Sequence, residues 1–203
     1  LPGREPDLPP LLIGSHIDSQ PTGGKFDGAY GVVAALEAIE AIKTSGRQPR
    51  RSIELVAWMN EEGSRFSPGM MGSAVFTGVR RLDEIVQIKD KAGVSVGDAL
   101  ASVLAAEEKK VPQRPLGFKA AGFVEAHIEQ GITLQNEKLT IGVVTGIQGK
   151  RTFRFEVDGE ESHAGTSARA NRRDALVSAV AIVQALQNAI WDADDTVRFT
   201  IGM

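Results

Sequence analysis

The sequence contains no cysteine, which removes disulfides and thiolate metal sites at once. Any metal bound here must be held by histidine and carboxylate. That is the ligand set of open, hydrolytic centres rather than of closed structural ones. Histidine is scarce as well, with three in 203 residues, so each one can be weighed separately. No apolar run is long enough to cross a bilayer, so no membrane partner is expected. There is no excess of basic residues. The net charge is −3 and the pI about 5.7, which argues against a nucleic-acid surface. Leu1-Pro2-Gly3-Arg4-Glu5-Pro6 has neither a basic leader nor an apolar core, so no signal peptide is expected and the cytoplasm is the expected location. Leu1 is not an initiator methionine, and residues preceding it are expected. Internal repeats and low-complexity segments are also lacking. What remains is an ordinary globular composition, 42% hydrophobic and 24% charged, in a chain long enough for one domain or one and a half small ones.

The first half alternates buried strands with helices. Leu8 to Gly14 reads as a strand, with Pro9-Pro10 at its start and Leu11-Leu12-Ile13 as its apolar run. A glycine-rich loop, Ser15 to Gly28, leads into a predicted helix over Ala29 to Lys43, which Gly46 and Pro49 end. Ser52 to Met59 reads as a second buried strand. Strand, helix and strand joined through a glycine-rich turn imply an α/β layer. Gly69 to Gly78 reads as a short helix, and Leu82 to Ala106 as helical pieces broken near Gly93 and Gly97. Val111 to Gly117 reads as a loop, Gly122 to Ile128 as a third strand, and Gly131 to Asn136 as the start of a helix. The texture then changes, and a domain boundary is expected near residues 146–150. Phe153, Phe155 and Val157 alternate with polar residues, as in a half-exposed antiparallel strand over Thr152 to Val157. Asn171 to Ala189 has the spacing of a long amphipathic helix, and Thr196 to Ile201 reads as a further strand.

Five short segments carry chemistry-bearing side chains. His16 follows the first buried strand, at the edge where open α/β sheets bind ligands. Asp18 lies two residues on, placed like the carboxylate that fixes the tautomer of a metal-bound histidine; a turn histidine with a capping aspartate fits too. Asp27, among glycines before a helix, fits an N-cap and also a bridge between two metals. Glu61 and Glu62 follow the second strand. Adjacent carboxylates are electrostatically expensive unless a cation neutralises them. One could ligate while the other moves protons, although a solvated acidic loop gives the same pattern. His127 follows the third strand, with Glu125 and Glu129 as outer partners or as ordinary polar neighbours. His163, in the second region, fits a turn cap or a donor to a substrate carbonyl. The conjunction favours the metal reading: three apolar strands each end in a metal-capable group, and two of only three histidines are among them.

The runs GSHIDSQPTGGKFDGAYGVVAALEAI, NEEGSRF, EAHIEQG, IGVVTGIQG and SHAGTSARANRRDAL, in that order, resemble the M20-type metallohydrolases. Within these they resemble the branch of N-carbamoyl-L-amino-acid hydrolases, β-ureidopropionases and allantoate amidohydrolases. The histidine of HIEQG favours this ureido-hydrolysing branch over the peptidases. The resemblance implies a metallopeptidase-like α/β catalytic domain with a central mixed sheet flanked by helices, and an α+β lid or dimerisation domain. It divides the chain at 1–147 and 148–203, each part partial. It implies two divalent ions, with zinc favoured and manganese, cobalt or nickel as alternatives. His16 and His127 would hold one ion and Glu62 the other, with Asp27 bridging. Glu61 would be the general base and acid, and Asp18 would orient His16. His163 would stabilise the oxyanion from the partner subunit of a homodimer formed through the lid, and Gln130 would face the substrate. The substrate would be a small N-carbamoyl-L-amino acid or a close relative, with allantoate as the alternative.

The resemblance also implies parts that this chain lacks. A last histidine ligand and an arginine that clamps the substrate carboxylate are expected beyond residue 203, so the chain reads as truncated at both ends. Ala168 stands where proline is expected. Two further readings are an M20 aminoacylase or dipeptidase, against which HIEQG speaks, and a non-catalytic fragment that only binds metal or dimerises.

Overall fold

The computed structural model describes residues 1–106, 112–191 and 196–202. The chain divides into two compact units, Leu1–Gly142 and Val143–Met203. The first is built on a parallel βαβ element. Strand β1 (Leu11–His16) is followed by helix α1 (Ala29–Thr44) and strand β2 (Ile53–Trp58). β2 lies beside β1 in register from Leu11↔Ile53 to His16↔Trp58. A short strand β3 (Gly122–Val124) pairs with the other edge of β1, from Leu11↔Gly122 to Ile13↔Val124. The order is therefore β2-β1-β3, with all three strands parallel. This is the expected α/β architecture. β1 is central, which is why it could be a continuous apolar run and why even its last two residues, Ser15 and His16, are buried.

Parallel strands end on the same side of a sheet, so the segments that follow β1, β2 and β3 emerge together. Helix α1 holds this edge closed. Its buried positions are Gly31 and Ala35, four residues apart on one face. Gly31 is the point of closest approach. A Cβ there would overlap the Ala126 carbonyl and sit 2.6 Å from the Ser15 Cβ. The missing side chain brings the helix down against β1 and the segment after β3.

A second small core lies beyond β2. Helices α2 (Met71–Phe76), α3 (Leu82–Ile85) and α4 (Val96–Ala106) gather Phe66, Met71, Ile85 and Val96, with Val75, Ile88 and Ala99 packed against them. The expected break at Gly93 is present, with that glycine at φ +84. The break expected at Gly97 is not. The Ser95 hydroxyl accepts from the Asp98 amide at 3.0 Å and donates to its carboxylate at 2.6 Å, so the helix starts before Gly97 and runs through it. β3 is also shorter than expected. After Val124 the chain leaves the ladder, and the Glu125 carboxylate takes the hydroxyl of buried Ser15 instead. Helix α5 (Thr133–Glu137) follows. The loop expected from Val111 begins outside the described residues; 112–117 contains neither helix nor strand.

In the second unit, helix α6 (Ala175–Ile190) begins four residues later than the apolar spacing suggested. The Asp174 side chain accepts from the Val177 amide and caps it, while Asn171 ends a separate 3-10 turn, Arg169–Asn171. The strands expected at Thr152–Val157 and Thr196–Ile201 are not formed among the described residues. Alternation assigns residues to two faces, but a strand also needs a neighbour for its amides and carbonyls. Phe153 and Phe155 stay exposed, with ring centroids 6.4 Å apart. Among the described residues no helix is long and apolar enough to cross a membrane.

The tight contact at Gly31 gives a test of the fold. Gly31→Val should lower stability to urea by about 1–3 kcal/mol, the usual range for overpacking a closed site. A midpoint and slope equal to those of the unmodified protein would show that α1 does not need this approach.

Candidate metal centre

His16 is the last residue of β1 and is 2% exposed. Its ring lies over Gly28, which has φ +65, and a Cβ at that position would overlap the imidazole. Its Nδ1 is 2.9 Å from the main-chain oxygen of Asp18. A carbonyl only accepts, so Nδ1 carries the proton and Nε2 presents a lone pair. His127 repeats the arrangement. Its Nδ1 is 2.8 Å from the Ile128 carbonyl, which again leaves Nε2 as an acceptor. The two ring centroids are 6.5 Å apart.

Asp27 stands between these rings. The N-cap of α1 is Gly28, and no side chain caps the helix, so the Asp27 carboxylate is not spent there. Its Oδ2 accepts from the Gln130 amide. Its Oδ1 is 2.9 Å from His127 Nε2 and 3.9 Å from His16 Nε2. Oδ1 is buried and has no hydrogen-bond partner among the described residues. With both imidazoles neutral, three lone pairs face one another here. Gln130, which the resemblance assigned to the substrate, is turned at φ +54 towards Asp27.

The acidic pair after β2 completes the cluster. The Asp18 carboxylate accepts from the Glu61 and Glu62 amides at 3.1 and 3.0 Å. Asp18 thus orients His16 through its main-chain oxygen, while its carboxylate, 3.6 Å from Nδ1, fixes the backbone of the acidic pair. Glu62 Oε2 accepts from Gln20 Nε2 at 2.9 Å, and Glu62 Oε1 is buried with no partner among the described residues. Glu61 Oε2 is 3.5 Å from His16 Nε2. Burial pushes the Glu61 carboxyl above its ordinary range. A charged His16 pulls it back, while Glu62, Asp18 and Asp27 push it further up.

The donor set fits divalent cations. Two triads, His16 with Asp27 and His127, and His16 with Glu61 and Glu62, each have ligand atoms within 4.8 Å of one another. Each triad contains one of the two buried oxygens that lack a partner. Buried acceptors without donors are costly, and a cation is the group that all of these atoms could share. The supporting residues were harder to foresee. Gln20 holds Glu62, the Ser15 hydroxyl holds Glu125, and the Glu129 carboxylate accepts from the Thr133 and Leu134 amides at the start of α5. Glu125 and Glu129 are among the residues the sequence offers as outer partners of His127; Gln20 and Ser15 carry no signal there beyond their position within the motif segments.

His163 belongs to the second unit and is exposed. Its Nδ1 accepts from the Gly165 and Thr166 amides at 3.1 and 3.2 Å. The turn-capping contact expected for it is present, and it occupies only one ring nitrogen.

The unpaired Asp27 oxygen yields a prediction with opposite signs in two states. An amide in place of the carboxylate can donate to His127 Nε2 while still accepting from Gln130. Asp27→Asn should therefore raise the melting temperature of the metal-free protein by a few degrees, for a hydrogen bond worth about 1 kcal/mol. It should weaken zinc binding at least about tenfold, since a carboxylate oxygen facing both imidazoles is lost. Thermal unfolding with chelator and with zinc reads both effects. A lower metal-free melting temperature with unchanged zinc affinity would contradict the reading.

Comparison with known proteins gives the family. Residues 12–200 match the model of peptidase family M20/M25/M40. The chain is 40% identical over 191 residues to an N-carbamoyl-L-amino-acid amidohydrolase of Rhizobium meliloti, covering 94% of this chain and 45% of that protein. It is 37% identical over 192 residues to an allantoate amidohydrolase of Bacillus subtilis, covering 95% and 46%. Among solved structures, a hydantoinase/carbamoylase family amidase from Burkholderia multivorans superposes with a TM-score of 0.74 at 38% identity, covering 100% of this chain and 48% of that one. The chain thus spans about half the length of the curated relatives it matches. With the strand-end cluster in place and the match running over nearly the whole sequence, the chain belongs to peptidase family M20/M25/M40.

Proposed function

We propose that this chain carries the metal-binding part of a two-metal amidohydrolase that cleaves the carbamoyl or ureido C–N bond of a small N-carbamoyl-L-amino acid. The observation that carries the proposal is the convergence of unprotonated acceptors on His16, beside a carboxyl group lifted by burial. The similarity to N-carbamoyl-L-amino-acid amidohydrolases supports the choice of substrate class. The similarity to an allantoate amidohydrolase supports allantoate as a second reading.

In this proposal His16, Asp27 and His127 hold one divalent ion and Glu62 the other, with Asp27 shared. Such a pair supplies Lewis acidity and an acidified water when bound. Histidine and carboxylate ligands suit zinc, manganese, cobalt and nickel alike. Glu61 takes a proton from the attacking water and returns it to the departing nitrogen, a task suited to a carboxyl with a raised pKa. Asp18 keeps Glu61 and Glu62 facing the site through their two amides. His163, with Nδ1 occupied by backbone amides, offers an Nε2–H donor to the carbonyl oxygen as negative charge develops there. Addition of water and loss of the amine give an amine-bearing acid and carbamate, which falls apart to ammonia and carbon dioxide. The second unit acts as lid and dimer contact, and His163 serves the site of the partner subunit.

Three assays test these assignments. The full-length protein should hydrolyse N-carbamoyl-L-amino acids or allantoate at least about tenfold faster than N-acetyl amino acids. A preference for the acetyl compounds would overturn the ureido reading. Glu61→Gln should lower kcat by roughly 10²–10⁴-fold, the usual worth of a general acid–base, with metal content unchanged. Loss of metal with activity would make Glu61 a ligand, as its distance to His16 permits. Mixing inactive His163→Ala and Glu61→Gln proteins should restore activity in heterodimers. Heterodimers that form and stay inactive would rule out a histidine supplied by the partner.

A further inference from the structure

Residues 163–167 form a closed turn whose contacts run in two directions. Inside it, the amides of Gly165 and Thr166 both point at His163 Nδ1. The turn is closed by the Ser167 amide, which donates to the His163 carbonyl at 3.3 Å. Three of its carbonyls meet a single side chain, Arg172. The Arg172 Nε donates to Ser167 O at 3.1 Å, and Nη2 donates to His163 O at 3.1 Å and Ala164 O at 2.6 Å. Arg172 follows the 3-10 turn Arg169–Asn171 and lies two residues before Asp174, the N-cap of α6. The guanidinium therefore ties the turn to the start of the longest helix in this unit.

We infer that Arg172 is a positioning residue for His163: by holding the carbonyls of residues 163, 164 and 167 it keeps two amides on Nδ1 and so fixes the ring as the Nε2–H tautomer. The inference rests on the proposed role of His163 as a donor and extends it to the group that sets the donor. In a neutral imidazole one nitrogen donates and the other accepts. A nitrogen that receives two N–H groups at 3.1 and 3.2 Å is the acceptor, so the proton sits on Nε2. The turn would otherwise exchange conformations, because a five-residue exposed loop has few contacts of its own to hold it. One planar side chain with its donors in a fixed fork can hold three carbonyls at once; an ammonium on a flexible stem cannot reproduce that fork. A purely structural role would show up as loss of helix or stability. A positioning role shows up at the His163 ring.

The test uses the protein with ¹⁵N-labelled histidine. Three histidines give three ring spin systems, and His163→Ala identifies the one that matters. In the unmodified protein the His163 ring should show the Nε2–H pattern. In Arg172→Ala that pattern should shift towards a mixture of tautomers, and kcat should fall about tenfold or more with a smaller change in KM. This is a fraction of the 10²–10³-fold cost of deleting an oxyanion donor outright. Arg172→Lys should recover only part of both effects. An unchanged ring pattern in Arg172→Ala would overturn the inference. If Arg172→Ala loses α6 by circular dichroism, Arg172→Lys decides: a folded protein with a wild-type ring pattern and kcat overturns it, and a folded protein with a mixed pattern supports it. Full activity in His163→Ala would refute the donor role of His163, while the ring pattern of the Arg172 variants would still decide whether Arg172 sets the tautomer.

Discussion

Acceptors without donors organise the first unit of this protein. Around His16 the chain gathers two imidazole lone pairs and the oxygens of Asp27, Glu61 and Glu62, and two of those oxygens are buried with no partner among the described residues. Folding does not normally tolerate such an arrangement, because each unpaired buried acceptor costs about 1–3 kcal/mol. The surrounding structure accounts for its survival. β1 is clamped between β2 and β3, α1 is drawn in at Gly31, and the Asp18 carboxylate anchors the segment after β2 through two amides. The unpaired acceptors are held in place by the sheet, the α1 contact and the Asp18 anchor.

The parallel sheet is what makes this possible. Each strand exits on the same side, so three segments far apart in sequence deliver His16, Glu61 with Glu62, and His127 to one edge without any of them crossing the sheet. Aromatic residues that begin with Trp58, opposite His16 in the register, pack beside the edge. The Trp58 ring meets Phe76 at 5.3 Å and Phe123 at 5.8 Å, and Phe76 meets Phe118 at 5.0 Å, which links β2, α2, β3 and the segment before it. Offset and edge-on pairs of this kind add to simple area burial.

Much of this was legible in the sequence because it depends on local pattern. Apolar runs located β1 and β2, and metal-capable residues just past them located the cluster. Features that depend on a distant partner were not legible. Nothing near Thr152–Val157 says whether a neighbouring strand exists, and without one the alternation of Phe153 and Phe155 yields no ladder among the described residues. The early end of β3 depends on Ser15, 110 residues away from Glu125. Asp18 was assigned to His16 because it is two residues off, yet its carboxylate goes to amides 43 and 44 residues further along. Taken alone, Asp27 reads better as a cap. Only the backbone at Gly28, which starts the helix without any side-chain help, shows that the carboxylate has another use.

The three histidines show how a backbone can choose between two chemistries with one side chain. At His16 and His127 a main-chain carbonyl meets Nδ1, so Nδ1 keeps its proton and Nε2 is left as a lone pair. At His163 main-chain amides meet Nδ1, so the proton moves to Nε2 and that nitrogen becomes a donor. The first pattern suits a metal ligand, and the second suits a group that stabilises negative charge. Both are written in local turns, within three residues of the ring in every case. The place of the proton on a neutral ring therefore follows the polarity of the backbone group facing Nδ1 and not burial, since His127 and His163 are both exposed and face opposite groups. A turn rebuilt so that an amide rather than a carbonyl faced Nδ1 would turn the Nε2 lone pair into an N–H donor without touching the histidine.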